Sequence, residues 1–274
     1  MGHIKKLKLK IYYIWANLVI NKKAIKLTQK LRQRRNIFIY FDYERQFGGN
    51  VTQISDADIS EILKILEDYN IKSTWFTVGR VLKEYPESVK EIIIHEHEIG
   101  SHTHSHIVPL YVSSAELKDD FSNFSMASSG FDTEISGFHS PNSKWSINLL
   151  KYLRDYKFSY DLIHCKKNDR CNTLLMRRRN KNRIIRLQTV GDDWLVYKKK
   201  LNENDVFNYF KGFLNRIRNG EIAGIGFHPW ILSSDQKIMN GFRYFIKYIG
   251  SSQDFSIKPA KYFVDDVMEI INNQ

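Results

Sequence analysis

The stretch Asn36-Ile37-Phe38-Ile39-Tyr40-Phe41-Asp42 is an apolar run that ends on an acid. A run this short, built from β-branched and aromatic residues, reads as a buried strand with a functional group at its tip. Tyr43 and Glu44 follow directly. Side chains alternate in direction along an extended chain, so Asp42 and Glu44 point to one side.

Outward from this strand, helical and strand patterns alternate. Asp56 to Tyr69 carries Ile59, Ile62, Leu63 and Leu66 at helical spacing behind Ser55, a candidate N-cap. Ser73 to Val78 reads as a second strand, Val81 to His95 as a helix, and Glu98 to His102 as a further short strand. The remaining strands are expected at Ile135 to Phe138, Lys157 to Ile163, Arg183 to Thr189 and the glycine-spaced Gly224 to His228. Helices are expected at Ser114 to Met126, Ser146 to Leu153, Glu203 to Arg218, Asp235 to Ile249 and Ala260 to Ile271. Cys165 to Lys181 is rich in Lys, Arg and Asn and reads as a solvated loop between strands. The alternation predicts an α/β body built on a parallel sheet or barrel.

Composition narrows the class. With 42% hydrophobic and 14% aromatic residues among 274, the chain can build a sizeable core and is not disordered. Its two cysteines, Cys165 and Cys171, read as unpaired thiols, not as a disulfide framework. No apolar run approaches the roughly 20 residues that span a bilayer.

The formal net charge of +12 is unevenly placed. Residues Met1 to Asn36 hold eight Lys, three Arg and no acid, whereas the rest is nearly balanced. Residues 1–36 therefore form a basic arm, separate from a folded body at 37–274. Within the arm Ile4, Leu7, Ile11, Ile14, Leu18 and Ile25 fall at helical spacing, with Tyr12, Tyr13 and Trp15 among them. Two readings stay open. The amphipathic helix lies on an anionic membrane as a peripheral contact, or it packs on the body and leaves its lysines in water. The basic-then-apolar order imitates a signal peptide, but no small-residue cleavage site follows, so the expected location is the cytoplasm or the cytoplasmic face of a membrane. Nucleic acid is not an expected partner: there is no zinc-finger spacing and no RRM signature.

In parallel α/β folds, functional side chains gather at the carboxyl ends of strands. Besides Asp42 and Glu44, three stretches carry chemistry there. In His102-Thr-His-Ser-His106 the outer histidines lie on one face if the segment turns helically, and both can hold one ion. His104 would then point elsewhere, and His95 and His97 belong to the preceding helix end. His139-Ser140-Pro141 places a histidine beside a rigid turn, and His228-Pro229-Trp230 does the same after the glycine-spaced strand. Between them stand Asp192, Asp193 and Trp194. Two histidines and one carboxylate leave a coordination position open, as catalytic zinc sites do. With another carboxylate as base and another histidine as acid, the parts suit metal-assisted hydrolysis.

In this order the motifs resemble those of the polysaccharide deacetylase, or NodB-homology, family (carbohydrate esterase family 4), from Ile37 to about Ile231. The resemblance implies a distorted (β/α) barrel over 37–274, here preceded by the basic amphipathic helix. It implies metal-dependent removal of an N-acyl group, acetyl first, from an amino sugar in a glycan or lipid-linked saccharide. By that resemblance Asp42 is the general base, and Glu44, His102 and His106 hold a divalent metal, with Zn2+ the first candidate. His139 stands where the family usually has an arginine that orients the base. His228 is the general acid, with Asp193 beside it. Tyr43, Pro141, Trp194, Trp230 and Leu232 are the expected substrate contacts. The alternative is a family member that binds glycan without hydrolysing it, motivated by His139.

Overall fold

A computed structural model describes residues 11–12, 14–16, 20–49, 53–166, 169–178, 182–199 and 201–273. Its strands are β1 (Asn21–Ala24), β2 (Arg35–Tyr43), β3 (Thr74–Thr77), β4 (Glu98–Ser101), β5 (Gly137–His139), β6 (Tyr160–His164), β7 (Leu174–Arg178), β8 (Asn182–Gly191), β9 (Ile222–Phe227) and β10 (Phe255–Ile257). Seven of them, in the order β2-β3-β4-β5-β6-β8-β9, pair in parallel, and β9 returns to β2 to close the barrel. Outside it, β10 pairs with the start of β2, β7 runs antiparallel to β8, and β1 runs antiparallel to β7.

The alternation of β2 divides the core in two. Ile37, Ile39 and Phe41 pack outward with the helices, in one cluster with Ile62, Leu66 and Phe242. Phe38 and Tyr40 point inward to Phe76, Tyr160, Leu162, Ile185 and Leu187. The glycine spacing of β9 has a steric reason. A Cβ on Gly224 or Gly226 would lie 2.4 Å from the ring of Phe38 or Tyr40. Alanine at either position overpacks the barrel, at a typical cost of about 1–3 kcal/mol.

The helix Ala260–Asn272 packs Phe263, Val264 and Val267 against the inner cluster. Its first amides, Ala260 N–H and Lys261 N–H, donate to Thr74 Oγ1 and Glu98 Oε2 at the starts of β3 and β4. One end of the barrel is thereby closed with side chains. The carboxyl ends of the strands, where Asp42, His102, His139 and His228 stand, face the other way.

Most expected elements fall where the sequence placed them, including the helix Asp56–Glu67, whose Ser55 and Asp58 form a reciprocal capping box. The expected helix at Val81 to His95 is two helices, Gly79–Glu84 and Pro86–Ile94. Pro86 cannot donate into a continuous helix and pushes Tyr85 out of helical conformation (φ −134°, ψ 52°). The stretch Cys165 to Lys181 is not simply a solvated loop. Leu174–Arg178 forms strand β7, and both cysteines are buried.

The arm also departs from one continuous helix. Ile11, Tyr12 and Ile14 to Ala16 are helical, but Asn21–Ala24 is strand β1, so Ile25 does not extend the helical face. The positions Ile4, Leu7, Tyr13 and Leu18 of the expected helix lie outside the described residues. Ala16 and Ile20 are buried in the body, and Tyr12 Oη accepts a hydrogen bond from Ile147 N–H.

Candidate metal centre and active site

The carboxyl ends of the barrel strands open into a cleft of about 430 Å³ lined by Asp42, Glu44, His102, His106, His139 and His228. That size suits a small-molecule or chain-end site. Alternation at the end of β2 places Asp42 and Glu44 in this cleft, as the sequence predicted, and turns Tyr43 away. Tyr43 is fully buried, its hydroxyl 2.8 Å from Ser88 Oγ and accepting from Arg45 Nε at 2.7 Å.

Glu44, His102 and His106 each offer a ligand atom, all within 4.8 Å of one another. His102 and His106 converge, but not through a helical turn. The segment is an irregular loop with Thr103 (φ 64°) and His106 (φ 56°) in the left-handed region, and the two rings lie 5.1 Å apart. Asp120, on the helix Ser114–Ser128, holds this loop by accepting from His104 N–H at 2.7 Å and Ser105 N–H at 2.9 Å. His104 turns away toward Gly79, as expected. His95 caps the helix end, whereas His97 is buried beyond it, with Nδ1 accepting from Ser73 N–H.

The donor set fits a divalent ion. His102 Nδ1 lies 2.8 Å from the carbonyl oxygen of His139. A carbonyl only accepts, so Nδ1 carries the proton and Nε2 keeps its lone pair for a ligand role. Burial pushes His102 down to about 4, so the ring is neutral at physiological pH. Burial raises Glu44, but its bond to His106 and the charge of His228 outweigh this and hold it below its ordinary value. His106 Nε2 is 2.7 Å from Glu44 Oε2. Gly48 leaves the space this carboxylate occupies: a Cβ there would lie 2.2 Å from Glu44 Cδ. A second triad of Asp42, His102 and His139 also has ligand atoms within 4.8 Å. In it His139 Nδ1 already donates to Asp42 itself, so the Glu44 triad is the better cation site.

Asp42 is held by His139, whose Nδ1 donates to Asp42 Oδ1 at 2.8 Å, while His139 Nε2 lies 3.1 Å from Ser143 Oγ. Burial raises the Asp42 carboxyl, but His139, His102 and His228 together keep it well below the usual carboxylate range. It is an anion ready to accept a proton.

Across the cleft, Asp193 is fully buried. Both of its oxygens bind His228, one accepting from the backbone N–H and the other from Nδ1, each at 2.7 Å. Burial lowers His228, but the Asp193 charge and bond outweigh it and raise the imidazole far above its ordinary value. The free Nε2 stands 3.7 Å from Asp42 Oδ2.

Among the expected substrate contacts, Trp194 and Trp230 line the cleft, with Trp194 about two-fifths exposed. Tyr43, Pro141 and Leu232 do not. Leu232 is fully buried at the end of the short helix Pro229–Leu232, and Pro141 is buried at the start of the turn that presents Ser143. Gly48, Ser143, His164 and Tyr197 line the cleft without having been singled out. His164 closes β6, and a histidine at a barrel strand end was a signal available in the sequence.

Residues 30–160 match the family model described as polysaccharide deacetylase. A peptidoglycan deacetylase of Helicobacter pylori is 30% identical over 64 residues, which is 23% of this chain and 22% of that protein. A peptidoglycan-N-acetylglucosamine deacetylase of Bacillus cereus is 32% identical over 60 residues, 22% of this chain and 28% of that protein. The chain thus aligns with less than a third of the length of either relative. A solved structure from Mycobacterium smegmatis, assigned to the polysaccharide deacetylases, superposes with a TM-score of 0.78 at 16% identity, covering 90% of this chain and 95% of that one. At that identity the superposition speaks for the fold. The motif order, the closed seven-stranded barrel and these matches agree: over residues 30–160 the chain is similar to the polysaccharide deacetylases, and it shares their barrel fold.

Proposed function

We propose that this protein is a metal-dependent hydrolase that removes an N-acyl group, acetyl first, from an amino sugar in a glycan or lipid-linked saccharide. The observation that carries the reading is the meeting in one cleft of Glu44, His102 and His106 with a separately held base, Asp42, and a separately held acid, His228. Glu44, His102 and His106 would hold the divalent ion, Zn2+ first, which when bound polarises an acyl carbonyl and acidifies water.

The chain's own groups supply the proton transfers. Asp42 takes a proton from the water whose oxygen attacks the amide carbonyl carbon. His139 keeps that carboxylate oriented and anionic. His228 gives its Nε2 proton to the nitrogen as the C–N bond breaks, so the products are the sugar amine and the carboxylic acid, which gives up its remaining proton to solvent. His228 Nε2 stands 3.7 Å from Asp42 Oδ2, a gap that one bridging water would span to return the proton for the next cycle. No Lys or Arg lines the cleft among the described residues, which suits an uncharged sugar at the reacting end. His139 keeps its 2.8 Å bond to Asp42, which favours hydrolysis over a member that only binds glycan. The test is release of acetate from N-acetylglucosamine oligosaccharides and from a lipid-linked N-acetylated sugar, with and without added Zn2+. Binding of both without release at any metal concentration would favour the glycan-binding alternative.

The arm gives this enzyme a location on an anionic membrane surface. Ile11, Ile14 and Trp15 stay more than half exposed while Ala16 and Ile20 anchor the same segment to the body. The surrounding arm is purely cationic. No helix among the described residues is long and apolar enough to cross a membrane. Co-sedimentation with phosphatidylserine vesicles should be lost in an Ile11→Ser, Ile14→Ser, Trp15→Ser variant that keeps activity on soluble oligosaccharide. Undiminished sedimentation removes this part of the proposal.

A further inference from the structure

Trp230 has two candidate jobs, and they predict different measurements. As an aromatic lining the cleft it can wall an acyl group. Its indole N–H, however, is already committed: Trp230 Nε1 donates to Glu44 Oε1 at 2.8 Å in a buried bond. The ring is 3% exposed and is held edge-on by Tyr197 at 5.0 Å and Trp194 at 5.8 Å. The indole therefore cannot swing away from the carboxylate without breaking these contacts.

The other side of Glu44 is equally constrained. Gly48 bounds the carboxylate so closely that a Cβ would overlap it, and the second oxygen, Oε2, meets His106 Nε2 at 2.7 Å. A glutamate has one more rotatable bond than an aspartate, and its carboxylate has more positions to lose when it binds an ion. An indole N–H is a donor without acceptor capacity, so it engages one oxygen and leaves the other to the cation. We infer that Trp230 is a positioning residue for the metal centre: it fixes Glu44 as a one-oxygen ligand facing His102 and His106. The inference rests on the metal reading above and extends it. Trp230 follows His228 by two residues, so one short turn carries both the acid and the group that orders the metal-binding carboxylate.

The test is the Zn2+ affinity of metal-stripped protein, measured by competition with a chromophoric chelator, alongside the ratio of acetyl to propionyl release. Trp230→Phe keeps the ring and removes the donor. It should weaken Zn2+ binding about tenfold or more, the usual range for losing a group that orients a ligand. Glu44→Gln should weaken it as well, and Trp230→Phe added to Glu44→Gln should cost nothing further. Gly48→Ala, at the end of the short turn Arg45–Gly48, displaces the same carboxylate from the opposite side and should lower Zn2+ affinity while Trp230 is intact, which covers the case of a poorly folded Trp230 variant. If Trp230→Phe leaves Zn2+ affinity unchanged and shifts the acetyl-to-propionyl ratio, Trp230 is a pocket wall and the inference is overturned. If wild-type protein itself binds no Zn2+, the metal reading fails rather than this refinement of it.

Discussion

His102 and His228 stand in the same cleft, and their environments drive them in opposite directions. His102 is buried with its Nδ1 given to a carbonyl, and desolvation takes its pKa down to about 4. His228 is also largely buried, but it sits on a fully buried carboxylate that grips it at two points, and that charge outweighs desolvation. One imidazole is thereby kept neutral, which suits the metal-ligand role proposed for it, and the other kept charged, which suits the proposed general acid. The difference comes from the second partner of each ring, a neutral carbonyl against a buried carboxylate.

The comparison can be broken most severely from the ligand side. His102→Ala removes one of the three proposed ligands, and activity should fall by roughly a thousandfold or more, since a bound ion would supply several kcal/mol of transition-state stabilisation. Metal content measured on the purified variant should fall with it. From the acid side, His228→Ala should lower kcat by about 10²- to 10⁴-fold, the usual range for a general acid, with Zn2+ content unchanged. Retained zinc in this variant and lost zinc in the other would confirm that the two histidines have separate duties. His139→Ala leaves Asp42 without its charge-assisted bond, and kcat/KM should drop about 10- to 100-fold.

Asp193→Asn sharpens the comparison without deleting either ring. The carboxylate raises the His228 pKa, so its removal must lower it, and less of the acid form survives at alkaline pH. The basic limb of the kcat profile should move down, from near 10 toward the ordinary imidazole value of 6.5. An unmoved limb would mean that another group is the acid. The smallest effect concerns a third buried histidine outside the cleft. Burial takes His97 to about 3, while Ser73 N–H needs its Nδ1 as an acceptor. A histidine with a depressed folded-state pKa stabilises above the unfolded value of 6.5, and that stability is lost as pH falls from 6.5 toward 3. His97→Gln should flatten that part of the Tm profile.

Much of this was legible in the sequence because it depends on local pattern. The run ending in Asp42, the helix and strand periodicities and the glycine spacing of β9 report burial directly. Alternation alone put Asp42 and Glu44 on one side, and the same rule excludes Tyr43, which is turned toward Ser88. The convergence of His102 and His106 was legible but its cause was not. It comes from two left-handed residues and from Asp120, fourteen residues beyond His106 in the chain, which only the folded helix brings under the loop. The roles of Gly48 and Ser143 were hidden for the same reason: each acts on a side chain already at the site, and nothing in its neighbours' types announces it. The hairpin strand β7 was masked by charged residues flanking a short apolar core of Leu174, Leu175 and Met176.

The most direct test of the account is acetate release from an N-acetylglucosamine oligosaccharide by metal-stripped protein titrated with Zn2+, for wild type and His228→Ala in parallel. Wild type should release nothing without metal, and its release should rise to a plateau at one Zn2+ per chain. His228→Ala should show the same binding stoichiometry with a plateau lower by at least about a hundredfold. Equal plateaus for the two proteins, or full release by the metal-free wild type, would contradict it.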